Sequence, residues 1–314
     1  MSEARPVLSV VCPMYCEKDS LGPFFSRLIP VLQSLEVSFE IVCVDDGSKD
    51  ETLTLLREYQ RSEPRLRIFE LSRNFGKEAA LTCGIDNARG DAVIPIDADL
   101  QDPPELIPDL VNTWRKGFEV VLAQRTNRDA DSLTKRKTAE WFYRLNNAIS
   151  DNPIPSNVGD FRLMDRKVVD ALKRLPERHR FMKGLFAWVG FKQAILPYTR
   201  EQRVAGTGKF RWWRLWNFAL EGIFSFSTAP LRIWVYVGML IATSAFIHAT
   251  FIIGRTLLLG RDIPGYASLI TAVLFLGGIQ LVGMGILGEY IGRIYGEVKG
   301  RPIYLIREKF DDES

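Results

Sequence analysis

Two carboxylates one residue apart, Asp97 and Asp99, stand in the stretch Ile94 to Glu105, which reads I-P-I-D-A-D-L-Q-D-P-P-E, and Gln101 follows two residues later. The apolar run from Ala92 to Ile96 before them predicts a buried strand. Pro103 and Pro104 end that strand and open a helix. A strand that delivers acidic groups to its own carboxyl end puts them where open α/β sheets bind ligands. Carboxylates with an amide oxygen are hard ligands, suited to Mg²⁺ or Mn²⁺ holding a diphosphate. A solvated turn is the competing reading, since D-x-D triplets are common on surface loops.

The elements that must position these groups alternate along the first ~200 residues. Apolar strands are expected at Leu8 to Pro13, Phe39 to Val44, Leu66 to Leu71, Ala92 to Ile96 and Val120 to Ala123, the last ending at Arg125. Helices are expected between them: Ser20 to Leu35, a segment capped by Asp50 and running to Arg61, Lys77 to Ala88, and one ending near Lys116. Such alternation predicts an α/β domain with a mostly parallel sheet and helices on both faces. Polar motifs recur at the strand ends: P-M-Y-C-E, D-D-G-S and S-R-N-F-G-K-E. No G-x-G-x-x-G follows a strand, and Gly206-Thr207-Gly208-Lys209 lacks the first glycine and final hydroxyl of a phosphate loop, which argues against a dehydrogenase or an ATPase. A net charge of +3 gives no reason to expect nucleic acid. Cys12, Cys16, Cys43 and Cys83 have no metal-type spacing and read as reduced thiols of a cytosolic domain. The polar start, Met1 to Pro6, does not read as a secretory signal.

Further along, Lys135, Arg136 and Lys137 begin an amphipathic segment that is either a solvated helix face or a cationic ledge for a lipid phosphate. Asp160 and Arg162, at i and i+2 on an expected strand, share a face and form either a structural ion pair or part of a site. Trp212, Trp213, Trp216, Phe218 and Phe224 lie among Arg211 and Arg214, a pattern that suits a helix lying in a bilayer interface or, alternatively, a core helix. Ile233 to Ile253 and Tyr266 to Leu287 are each about 20 apolar residues, enough to span ~30 Å of hydrocarbon. Basic residues crowd their outer flanks, so both termini are expected in the cytoplasm. His248 and Gln280 read as glue between these helices, and the glycines from Gly277 to Gly288 would permit close packing. The tail segment Arg301-Pro302-Ile303-Tyr304-Leu305 is a candidate edge strand pairing with another subunit. The boundaries expected are 1–200 for the catalytic domain, 201–229 for an interfacial segment, 230–290 for two membrane helices and 291–314 for a cytosolic tail.

Taken together, P-M-Y-C-E, V-D-D-G-S, N-F-G-K, D-A-D-L-Q-D-P-P-E, G-D-F-R-L and R-V-A-G-T-G-K-F resemble glycosyltransferase family 2, whose nucleotide-sugar-binding fold is called GT-A. K-R-K-T-A-E-W-F-Y, S-F-S-T-A-P-L-R-I-W and G-E-Y-I-G-R resemble its polyprenyl-phosphate branch, closest to the bactoprenol glucosyltransferases of O-antigen (lipopolysaccharide) modification. The resemblance covers nearly the whole chain. It implies that Pro13, Tyr15, Glu17, Val44 and Asp46 line a uridine pocket, with Ala98 beside the nucleotide. Asp97, Asp99 and Gln101 would hold Mg²⁺ or Mn²⁺, and Arg125, Arg203 and Lys209 would meet the diphosphate or the lipid phosphate. Lys135, Arg136 and Arg162 are further lipid-phosphate candidates, and Asp160 would position acceptor or donor. Cys16 departs from the Asn common at its place. The implied reaction moves glucose from UDP-glucose to undecaprenyl phosphate at the bacterial inner membrane. It implies a functional link to a flippase and a periplasmic glycosyltransferase, and pairing through the tail strand would favour a homo-oligomer. The competing readings are another donor, GDP-mannose or a UDP-4-amino-arabinose derivative, and a non-catalytic nucleotide-sugar-binding scaffold.

Overall fold

The computed structural model describes residues 6–126, 157–175, 177, 178, 180, 182–199, 229–259 and 265–311. Lys135, Arg136, the Trp-rich segment, Arg203 and Lys209 lie outside these residues.

Five strands and four helices alternate first: β1 (Leu8–Met14), α1 (Lys18–Ser34), β2 (Phe39–Asp45), α2 (Thr52–Ser62), β3 (Leu66–Leu71), α3 (Lys77–Asn87), β4 (Ala92–Pro95), a 3-10 turn (Pro104–Leu106), α4 (Ile107–Arg115) and β5 (Val120–Arg125). Then come β6 (Val158–Asp165), α5 (Arg166–Lys173), α6 (Met182–Trp188), β7 (Gln193–Tyr198), the long helices α7 (Ala229–Leu259) and α8 (Tyr266–Val298), and β8 (Ile306–Phe310). The sheet runs β7-β5-β6-β4-β1-β2-β3-β8.

Side chains alternate along the central strands, as the period of two requires. Leu8, Val10 and Cys12 of β1 face a core shared with Phe24, Phe25 and Leu28 of α1, while Val11 faces the opposite core with Leu81 and Ile85 of α3. Helices therefore cover both faces of the sheet.

Among the described residues, four of the seven strand pairings are parallel, as expected, and the other three make the sheet mixed. β6 runs antiparallel to both β4 and β5, and β8 runs antiparallel to β3. Strand direction does not appear in hydrophobic periodicity, so alternation alone could not reveal it. The reversal has a chemical consequence. The beginning of β6, at Val158 to Asp160, lies beside the carboxyl ends of β4 and β5.

The opposite edge is closed by a buried ionic network. Arg67 reaches Glu40 Oε2 at 2.7 Å and Asp311 Oδ2 at 3.0 Å. Glu40 also accepts from the Ser9 hydroxyl and, at 2.6 Å, from the Arg89 backbone N–H. These bonds join β1, β2, β3, the turn before β4 and the chain just past β8. A buried charge survives only with such partners.

β8 also corrects the expectation for the tail. The strand starts at Ile306, after the stretch Arg301 to Leu305, and pairs with β3 of its own chain. The exposed edge of β3 is satisfied without another subunit.

α7 and α8 are 31 and 33 residues long. Trp234 of α7 packs so closely against Gly283 of α8 that a Cβ there would lie 2.2 Å from the indole nitrogen. Among the described residues one stretch, Phe275–Val298, is long and apolar enough to cross a bilayer, and Ile233–His248 is a shorter apolar run. Both stretches lie on α7 and α8, the helices that contain the two expected spans. Past Leu287, Glu289 and Arg293 of α8 pair at 2.9 Å across one turn while Ile291 and Ile294 stay exposed.

Candidate active site

The loops leaving β1, β2, β3 and β4 meet at one edge of the sheet. After β1 the chain passes through Tyr15, Cys16 and Glu17. The Cys16 backbone donates to Ser48 Oγ and that of Glu17 to Thr52 Oγ1, each at 2.9 Å. Thr52 is in turn held by Asp50, whose carboxylate accepts from its N–H and its hydroxyl. Cys16 sits at φ 54°, in the left-handed region that Asn tolerates better than most residues.

After β2, Asp46 is buried and both its oxygens are engaged: Oδ1 accepts from the Phe75 N–H at 2.7 Å and Oδ2 from Gly76 at 2.9 Å. Burial raises its pKa, and those two bonds oppose the rise. Gly47 lies at φ +66°, and a Cβ there would come within 2.7 Å of the Arg73 backbone. The V-D-D-G-S turn thus fixes the loop after β3, and that loop presents Lys77 at the first residue of α3.

Lys77 is the centre of the site. Its ammonium donates to Asp97 Oδ2 at 2.7 Å and lies 2.8 Å from Asp160 Oδ2. Burial pulls the Lys77 pKa down, but Asp97 and Asp160 outweigh it and leave the pKa above its ordinary value. Burial pushes Asp160 up, yet Lys77 and Lys183 bring it to about 2. Asp97 goes the other way, raised by burial and by the Asp160 charge against the pull of Lys77. Asp99 is buried, its Oδ1 accepting from the Gln101 N–H at 3.1 Å across a turn with Leu100 at φ 58°. Farther down the motif, Glu105 makes a two-point ion pair with Arg27 of α1, at 2.9 and 2.7 Å, which anchors the acidic turn to the first helix.

A second cluster adjoins the first. Arg125 donates to the Tyr198 hydroxyl at 3.1 Å and lies 3.7 Å from Asp102, which also accepts from Tyr198. Burial lowers the Arg125 pKa, but Asp102 and Tyr198 outweigh it and hold it raised.

The structure places the remaining sequence candidates as follows. Arg162 is no candidate for a lipid phosphate: it is 5% exposed, stacks over Phe186 and donates to Gly159 O, and burial lowers its pKa to about 10. It also makes no direct ion pair with Asp160, whose partner is Lys77. Val44 is fully buried in the core packed on α3, so its side chain does not line a pocket. Ala98, at 3% exposure, likewise packs inward. Pro13 and Glu17 are part-buried and Tyr15 is exposed, all at the same edge as Asp46.

Sequence reasoning gave no role to Lys77, Asp102 or Tyr198. Lys77 had a usable signal, a cation at the head of a helix directly after a strand-end loop. Tyr198 had none, because only the pairing of β7 with β5 brings it to Asp102.

The residues fit a small divalent cation. Asp160 Oδ1 is buried and has no hydrogen-bond partner. Asp97 and Asp99 supply hard oxygens. Among the described residues no three acidic, His or Cys groups form a complete cage. One or two carboxylates completed by substrate phosphate oxygens and water is a usual Mg²⁺ shell.

Residues 9–173 match the family model "Glycosyl transferase family 2", and residues 229–294 match "GtrB C-terminal hairpin". An uncharacterized glycosyltransferase of Synechocystis is 55% identical over 301 residues, 96% of this chain and 95% of its own length. A prophage-derived bactoprenol glucosyl transferase of Shigella flexneri is 51% identical over 302 residues, 96% of this chain and 97% of its own. A mannosyltransferase structure from Pyrobaculum calidifontis, in complex with GDP-Man and Mn²⁺, aligns over 94% of this chain and 88% of its own with a TM-score of 0.48 and 17% identity. At that score the likeness says nothing of substrate.

Proposed function

We propose that this chain, which belongs to glycosyltransferase family 2, is a hexosyltransferase that moves glucose from UDP-glucose to a polyprenyl phosphate at the cytoplasmic face of a membrane. The observation that carries this reading is the union of two halves in one chain. An acidic rim holds Asp97, Asp99 and Asp160, and the sheet bearing it continues through β8 from α8, whose Phe275–Val298 stretch is apolar enough to cross a bilayer. The bactoprenol substrate named for the Shigella relative supports the acceptor class.

In this reading Tyr15, Glu17 and the Asp46 turn form the nucleotide end of the site. Asp97, Asp99 and Gln101 would hold Mg²⁺ or Mn²⁺, which when bound would neutralise diphosphate charge. The acceptor phosphate oxygen attacks the anomeric carbon, the bond to the diphosphate breaks on the opposite face, and the centre inverts. A phosphate is already ionised near pH 7, so no strong base is required. Asp160 agrees with that: a carboxylate held at about 2 is a poor proton acceptor. Its work is to orient Lys77 and the reacting groups, and Lys77 and Arg125 supply positive charge as the leaving group gains negative charge. α7 and α8 together would form a membrane hairpin with both termini cytoplasmic. The glycolipid, made on the cytoplasmic face, would then need a flippase and a periplasmic transferase to use it, as in O-antigen modification.

The test is purified full-length protein with UDP-glucose, a short polyprenyl phosphate and Mg²⁺, followed by mass detection of the hexosyl lipid. Asp99→Asn is expected to leave a folded protein that makes none. Normal product from that variant, or product from GDP-mannose in preference to UDP-glucose, would overturn the corresponding assignment.

A further inference from the structure

A cleft with a mostly apolar lining and three arginines opens beside the loop after β3. Its volume is about 400 Å³, and its walls include Arg73, Arg178 and Arg301 together with Phe75, Ile303 and Leu305. Gly296, near the end of the apolar stretch of α8, forms part of the wall. No guanidinium of the three forms an ion pair with a described carboxylate, while the Glu297 carboxylate accepts from the Arg178 backbone N–H at 2.9 Å. Arg73 stacks on Phe75 with its guanidinium 4.2 Å from the ring centre, and Arg178 donates to the Arg301 carbonyl. Arg301 is exposed at a turn where Gly300 adopts φ +66°. The apolar wall runs on into exposed side chains of α8 and the tail: Ile294, Val298 and Leu305 are 61%, 78% and 53% exposed.

Unpaired guanidiniums beside apolar surface at the end of a membrane-crossing stretch match a phosphate with an acyl chain attached. We infer that this cleft binds the phosphodiester headgroup of an anionic bilayer phospholipid, at a place distinct from the reacting rim. Arg73 and Arg301 meet the phosphate, and Leu305 with the end of α8 meets the first part of the acyl chains. Basic pockets on the cytoplasmic side of membrane helices are suited to such headgroups. The cleft also touches the machinery. Arg73 to Lys77 is one continuous loop, pinned by Asp46 at Phe75 and Gly76 and ending on the ammonium that bridges Asp97 and Asp160. A lipid on Arg73 therefore steadies the loop that presents Lys77.

The inference rests on the membrane reading of α8, and the test separates the two. Full-length protein is reconstituted in phosphatidylcholine vesicles with and without phosphatidylglycerol. Labelling by a photoreactive phosphatidylglycerol is mapped by peptide mass spectrometry, and glucosyl transfer is measured alongside. Label is expected on the segments around Arg73 and Arg301. Arg73→Gln and Arg301→Gln should each weaken labelling about fivefold, the worth of one juxtamembrane cation, and remove the stimulation of transfer by phosphatidylglycerol. Arg115→Gln, which deletes an exposed charge at the end of α4, should change neither. Undiminished labelling in Arg73→Gln and Arg301→Gln protein that still floats with vesicles would overturn the cleft alone. Competition of the label by inorganic phosphate would overturn the lipid and leave a simple anion site. Competition by polyprenyl phosphate would overturn the phospholipid and make the cleft an acceptor site. Failure to float with either vesicle would overturn the membrane reading and this inference with it.

Discussion

Lys77 decides the electrostatics of the rim. Without it Asp97 and Asp160 would be like charges around a shared space, and one of them would be driven to take up a proton. Lys77→Met is therefore expected to fold but to lose transfer by about 10²-fold or more, in kcat more than in donor affinity. Single-turnover kinetics with labelled UDP-glucose would check this. Glu78 offers a different experiment. Burial, then the Asp160 charge, push its pKa up to about 7 while it accepts a bond from the Met182 N–H. The folded state thus holds a proton between about 4.5 and about 7 that the unfolded chain releases, and stability falls as pH rises through that window. Glu78→Gln keeps an acceptor and removes the ionisation. Its Tm should match the parent near pH 4.5 and exceed it at pH 8. Cys16→Asn should stabilise by roughly 0.5 to 1 kcal/mol, because Asn relieves a left-handed backbone that Cys tolerates poorly. Denaturant melts would measure it.

At the scale of elements, the loops after β1, β2 and β3 behave as one clamped unit, held by Ser48, Thr52 and Asp46. The helix pair has its own lock. Trp234 occupies the space a side chain at position 283 would need, so Gly283→Leu should separate α7 from α8 while leaving the sheet domain intact. Limited proteolysis between residues 229 and 298 should speed up in that variant, with no change in the near-UV signal of the sheet domain. The β6 reversal belongs to this scale as well. One antiparallel strand turns G-D-F-R-L so that Asp160 faces Lys77, while Arg162 is drawn beneath Phe186.

At the scale of the molecule, the chain closes on itself. Asp311 caps Arg67 and β8 covers the edge of β3, so residues beyond the long helices complete the first domain. Tyr304 adds a bond to Asp86 of α3, and Glu297 accepts from the Arg178 backbone. A chain cut after Leu305 would expose the β3 edge and strip Arg67 of one partner, at a cost of about 1–3 kcal/mol for the lost charged bond alone. The expected result is a lower Tm of the whole sheet domain, and Asp311→Asn should show part of it. A tail of no structural weight would leave both melting curves unchanged.

The alternation of β1 to β5 with α1 to α4, the acids at strand ends and the apolar C-terminal stretch were all legible in the sequence, because period, composition and turn residues are local properties. The family resemblance was legible for the same reason, through short motifs in a fixed order. Partnership was not. Strand direction, the bridging of Asp97 and Asp160 by Lys77, the burial of Arg162 and Val44, the Asp102–Tyr198–Arg125 cluster and the return of β8 to β3 join residues from 20 to more than 200 positions apart. Such contacts depend on how whole elements pack. Only the folded chain sets which charge neutralises which, since desolvation and distance act through space and not along the backbone.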